Sequence, residues 1–162
     1  MNTTKAITAV TACALALVGV SETVADRIRA KNAAELAAYT VEWKEGTGAA
    51  RFDFKGNGGK FTILANGAKF ETQWSACSTN SVTAYRDGVE LLGWNPGQAD
   101  FPASASAFEA WDWKRRATEV ETGRVVAFME RGGRICAVRV VKVSDRSRGS
   151  SVDELQIEYR AY

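Results

Sequence analysis

Residues 40–162 read as one mainly β domain, an antiparallel sandwich or closed barrel of about seven or eight short strands. Three observations carry that reading. Apolar residues recur with a period of two, as in Phe52 and Phe54, Phe61 and Ile63, and Leu155, Ile157 and Tyr159. Glycine clusters and Asn-Gly or Asp-Gly dipeptides punctuate these runs at regular intervals. Residues 1–39 follow a helical rhythm instead, rich in Ala and free of Pro.

The segment 1–39 divides into an apolar and an amphipathic stretch. Residues 6–20, AITAVTACALALVGV, are uncharged, and Lys5 is the only charge ahead of them. A secretory signal peptide fits the run, with Thr23 and Ala25 offering small side chains before Asp26. A retained membrane anchor fits as well, but residues 6–20 as a helix span about 22 Å against a hydrocarbon core of roughly 30 Å. A core helix of a soluble protein is the third reading, and all three stay open at this point. Val10-Thr11-Ala12-Cys13 resembles a lipoprotein tetrad. The apolar run continues past it, so Cys13 reads as a small apolar residue. Beyond it, Val24, Ile28, Leu36 and Tyr39 share one helical face among Asp26, Arg27, Arg29, Lys31 and Glu35. Such a helix bundles with its own copies, lies on a membrane surface, or docks on its own domain.

Within the β-domain, Phe52 and Phe54 alternate with Arg51 and Asp53, and Phe61 and Ile63 with Lys60 and Thr62. Phe70, Thr72 and Trp74 alternate with Lys69, Glu71 and Gln73. A sheet with one wet and one buried face requires that pattern. The GNGG of residues 56–59 supplies positive φ, so RFDFKGNGGKFTIL predicts a hairpin; Asn66-Gly67 extends it to a three-strand meander. Further strands are expected at residues 81–85, closed by Asp87-Gly88, and at 89–93. Two more, 124–129 and 135–143, flank Arg131-Gly132-Gly133 as a second hairpin. Both prolines, Pro96 and Pro102, fall in a loop over 95–106, and 154–162 forms the last strand.

RFDFKGNGGKFTI (51–63), FETQWS (70–75) and DRSRGSSVDELQIEY (145–159) together resemble an uncharacterised bacterial β-sandwich family. Its members are often stand-alone β-modules behind a transmembrane helix, and others accompany a Toll/interleukin-1-receptor-type domain. The resemblance implies a membrane-tethered β-sandwich and supplies no catalytic residues.

Composition narrows the chemistry. The chain has no histidine, which removes Ser-His-Asp and Cys-His nucleophile systems and the commonest zinc or copper ligand. Its three cysteines, Cys13, Cys77 and Cys136, are too far apart in sequence for a thiolate cage. Lys and Arg number 21 against 19 Asp and Glu, a net charge of +2, so no nucleic-acid partner is expected. No metal or cofactor is expected either. GNGG lacks the Lys-Ser/Thr continuation of a phosphate loop.

The most distinctive local cluster is Trp111-Asp112-Trp113-Lys114-Arg115-Arg116. Two indoles beside three cations suit an anion, a sugar ring or a single-stranded base; a strand with its Trp residues in the core is the competing reading. Cys77 and Cys136, in or beside different strands, form either a disulfide adding roughly 2–4 kcal/mol or a pair of free thiols. The polar loop 145–153 reads as a hairpin connection held by Asp–Arg pairs, since its arginines oppose a calcium ion. Asp53, Glu71, Asp112, Glu154 and Glu158 are the acids from which a glycosidase-like pair would be drawn, and all alternate with apolar residues. The expected function is therefore a non-catalytic binding or interaction module presented at the cell envelope by the N-terminal helix, its small-molecule or glycan ligand unidentified. The alternatives are a ring- or filament-forming subunit that self-associates through residues 6–39, and a carboxylate-based glycan-acting enzyme.

Overall fold

The structure, a computed structural model, describes residues 40–43 and 46–162. The readings of residues 1–39, with their cleavage, anchor and self-association alternatives, lie outside the described residues. The chain runs β1 (Thr40–Trp43), β2 (Thr47–Phe52), β3 (Lys60–Ala65), β4 (Ala68–Ala76), β5 (Ser81–Tyr85) and β6 (Leu91–Trp94). It continues through β7 (Asp112–Arg115), β8 (Ala117–Glu121), β9 (Val125–Met129), β10 (Ile135–Ser144) and β11 (Glu154–Ala161). Five strands form one sheet in the order β1-β3-β4-β5-β8, and six form the other in the order β2-β11-β10-β9-β6-β7. The fold is mainly β, as expected, and the two sheets share one core in the manner of a sandwich. Eleven described strands replace the expected seven or eight. One pairing departs from antiparallel: β1 runs parallel to β3, with Thr40 opposite Thr62. No described helix is long and apolar enough to cross a membrane.

The expected hairpin around GNGG does not form. β2 pairs with β11, placing Phe52 opposite Leu155, whereas β3 pairs with β4. Residues 53–59 therefore arch from one sheet to the other. The Asp53 carboxylate accepts from Lys55 N at 2.8 Å and Gly56 N at 2.9 Å, which turns the chain. Asn57, Gly58 and Gly59 do adopt positive φ, of 50°, 62° and 76°. Gly59 is required for a second reason, since a Cβ there would stand 1.8 Å from the Trp74 carbonyl oxygen. The meander is consequently β3-β4-β5, with Asn66-Gly67 as its first turn at φ 51° and 69°.

Between the sheets, period-two alternation puts Phe61, Ile63, Phe70, Trp74, Val82 and Val120 against Phe52, Leu92, Val126, Phe128, Leu155 and Ile157. Phe52 stacks on Phe61 with centroids 4.2 Å apart, joining the two sheets, and Trp74 meets Phe128 edge-on at 5.5 Å. Trp74 Nε1 donates to Thr72 Oγ1 at 2.8 Å, and that hydroxyl donates to the Phe61 carbonyl at 2.8 Å, so the buried polar atoms are satisfied.

A second apolar cluster lies on the outer face of the six-stranded sheet. Val125, Ala127, Ile135 and Ala137 are covered there by Phe108 and Trp111. Strand β9 is buried along nearly its whole length because both its faces are covered. The covering segment is tied down by Tyr162, whose hydroxyl donates to the Pro102 carbonyl at 2.6 Å. Val125 N donates to the Gln98 carbonyl at 3.1 Å as a further tie.

Candidate binding cleft

The aromatic–cationic cluster of residues 111–116 is divided by the fold. Trp111 is buried beneath the covering segment, its ring 4.9 Å from Phe108. Trp113 is half-buried, donates Nε1 to the Phe108 carbonyl at 2.9 Å, and lies against Gly93, where a Cβ would meet the indole at 2.7 Å. The cations Lys114, Arg115 and Arg116 stay exposed. Asp112 accepts from Lys114 N at 3.0 Å and from Arg115 Nε at 3.0 Å, which holds its carboxyl below the usual range. The indoles are thus committed to packing, and the three cations have no stacking platform made by this pair.

Cys77 and Cys136 are free thiols, the first half-buried and the second buried. Burial pushes the Cys136 thiol pKa far upward, so it stays protonated. Cys77 sits beside Glu119, whose carboxyl is held low by the Ser81 hydroxyl at 2.5 Å and by the Cys77 thiol. The five acids considered as a catalytic pair are each engaged locally. Asp53 caps the arch, Glu71 meets Lys69 at 2.8 Å, Glu154 accepts from Gln156 Nε2 at 2.7 Å, and Glu158 pairs with Arg139. Among the described residues no three Cys, Asp or Glu side chains converge as metal ligands would.

The loop 145–153 is the hairpin connection between β10 and β11, held by Asp–Arg pairing as its composition suggests. It also reaches the arch, which the sequence did not disclose. Asp145, with its side chain 1% exposed, accepts from Lys55 Nζ at 2.5 Å, Ser147 N at 2.8 Å, Ser147 Oγ at 2.6 Å and Arg148 Nε at 3.2 Å. Lys55 also meets Asp153 at 2.9 Å. The ammonium and the Ser147 donors hold the Asp145 carboxyl well below the ordinary carboxylate range, and the same carboxylates raise Lys55.

At the opposite end lies an open cleft of about 710 Å³. Its walls are Lys69 and Glu71 of β4, residues 86–90 between β5 and β6, and Glu130 and Arg131 at the β9–β10 turn. Glu130 is occupied: it accepts from Gly132 N at 2.7 Å and from Arg134 N and Nε at 3.1 Å, and its carboxyl is held below the usual range by these donors. Arg134 Nη1 also donates to the Asn66 carbonyl at 3.1 Å, tying two turns together beside the cleft. Glu71 is paired with Lys69, and Asp87 stands 3.7 Å from Arg116, whose side chain is 82% exposed. Arg86, Glu90 and Arg131 have no side-chain partner among the described residues.

Sequence reasoning missed this cleft because its walls come from three segments, each of which reads separately as a solvated turn. YRDGVE and MERGGR are visible as charged turns, but nothing local says that they meet. Compared with known protein families, curated proteins and solved structures, the chain matches none.

Proposed function

We propose that residues 40–162 are a non-catalytic binding or interaction module that the segment 1–39 presents at the cell envelope. The observation that carries the binding part is the cleft, where the side-chain charges of Arg86, Arg131 and Glu90 are not paired among the described residues. Charges left unpaired on a concave wall are what a polar partner can use at little cost to stability. A glycan-acting enzyme would need a carboxyl with a raised pKa to serve as general acid. The most tightly held acid of the cleft, Glu130, is displaced in the other direction. Presentation at the envelope rests on the uncharged run 6–20.

Membrane fractionation of the full chain, with N-terminal sequencing of the mature protein, tests the second part. The expected result is recovery in the membrane or exported fraction. A full-length chain found only in the cytoplasm defeats it. Cross-linking of the native protein in cells, followed by identification of what is captured, tests the first part: a captured species that maps to residues of the cleft is expected.

A further inference from the structure

We propose that the cleft takes an extended peptide segment of a partner protein, laid beside an open stretch of β4 with its carboxylates on Arg86 and Arg131. This rests on the module reading above and adds the class of ligand.

The first support is the sheet edge. β4 pairs with β3 from Ala68 to Gln73, but with β5 only from Gln73 to Ala76. The upper part of β4 therefore has no strand on its second side among the described residues. The loop 86–90 closes part of that edge, since Gly88 lies so near the Glu71 carbonyl that a Cβ would stand 2.2 Å from it. Lys69 and Glu71 line the cleft on this stretch, and no strand is paired to that side of them among the described residues. Open backbone donors and acceptors of this kind are satisfied by an added strand.

The second support is the distribution of charge. Arg86 and Arg131 are without side-chain partners, and a planar guanidinium presents a fork that fits a carboxylate in two-point contact. Glu90 is equally unpaired, and Glu71, Asp87 and Glu130 line the same walls. The lining sets these four acids against three bases, Lys69, Arg86 and Arg131, so its mixed charge does not favour a uniform polyanion such as nucleic acid, a sulfated glycan or an anionic lipid surface. A peptide that places acids on the arginines and a base toward Glu90 matches both signs, which a polyanion cannot do.

The test begins with a display library of extended peptides carrying Glu and Lys at varied positions, screened against the full chain. The tightest binder, fluorescently labelled, becomes the probe. Replacing its Glu residues by Gln is expected to weaken binding about tenfold or more. The Arg86→Gln/Arg131→Gln protein should show the same loss and should no longer distinguish Glu from Gln probes. A proline at the centre of the probe should also weaken binding, because it removes a main-chain donor. Melting curves of the variant check that it remains folded. No binder above background, equal binding of Glu and Gln probes, indifference to the two arginines, or displacement of the probe by heparin through the same arginines each overturns the proposal. A binder indifferent to Arg86 and Arg131 leaves the module reading standing and sinks only the cleft assignment.

Discussion

The two ends of the sandwich treat the same kinds of side chain in opposite ways. Where the arch 53–59 meets the loop 145–153, the carboxylate of Asp145 is buried and surrounded by four donors. Arg148 extends that network by donating Nη2 to the Cys77 carbonyl at 2.7 Å, so three connections are fastened at one point. At the other end, the side chains of Arg86, Glu90 and Arg131 stand at a cleft without a partner among the described residues. The difference is one of solvation. A buried charge must be matched within the fold, because leaving it unmatched costs several kcal/mol. An exposed charge is matched by water and remains free for another molecule.

Substitutions at the two ends should therefore differ in their cost to stability. The largest effect is expected at the fastened end from Gly59→Ala, whose Cβ collides with the Trp74 carbonyl and whose φ of 76° disfavours any side chain. A loss of about 3 kcal/mol or more in urea unfolding is expected. Gly58→Ala shares a positive φ but has open space around it, so it should cost about 1 kcal/mol. Equal costs for the two variants would mean that the Trp74 carbonyl does not restrict residue 59.

Asp145→Asn comes next and is read against pH. Because the folded carboxyl lies below its unfolded value, its contribution is fully present above that unfolded value, near 3.9, and is lost as pH falls below it. Wild-type Tm should therefore drop as pH is lowered through that region. The variant should begin with a lower Tm at neutral pH and show a shallower acid limb. Parallel acid limbs for the two proteins would mean that Asp145 is not the fastening charge.

Thr72→Val, between the two ends, removes the acceptor of the Trp74 indole while keeping the shape of the side chain. A cost of about 1–3 kcal/mol is expected from the unpaired buried N–H. Chemical denaturation that shows no change would place a water or another acceptor at that indole.

The smallest effect is expected at the cleft. Arg86→Gln and Arg131→Gln should leave unfolding free energy within about 0.5 kcal/mol of wild type, because neither side chain is used by the fold. A clear loss of stability from either would erase the distinction between the two ends.

Much of the strand content was legible. Ser81–Tyr85 and the β9–β10 hairpin lie where alternation and Arg131-Gly132-Gly133 put them, and Leu155, Ile157 and Tyr159 face inward along β11. β8 was missed even though Thr118 and Val120 alternate with Ala117, Glu119 and Glu121, because the pattern is short and follows a run of cations. The cluster at 111–116 was legible as a strand but not as a site. Whether an indole packs or presents itself depends on the turn that folds Phe108 back over the pair and on Gly93, which reaches Trp113 from another strand. The cleft was not legible at all, since its three walls are contiguous only after the sheets are assembled.

Local patterning was enough to say which residues are extended, which side chains turn inward, and where the backbone takes positive φ. These are local matters, settled by period-two patterning and by the steric freedom of glycine and asparagine. The assignment of β2 and β3 to different sheets came from long-range pairing. Asn57, Gly58 and Gly59 suit a tight hairpin and an arch equally well, and the choice fell to the arch because β2 found β11 and β3 found β4. Across the arch, pairing is a contest among distant partners for the same backbone edge, and the local stretch does not carry the answer.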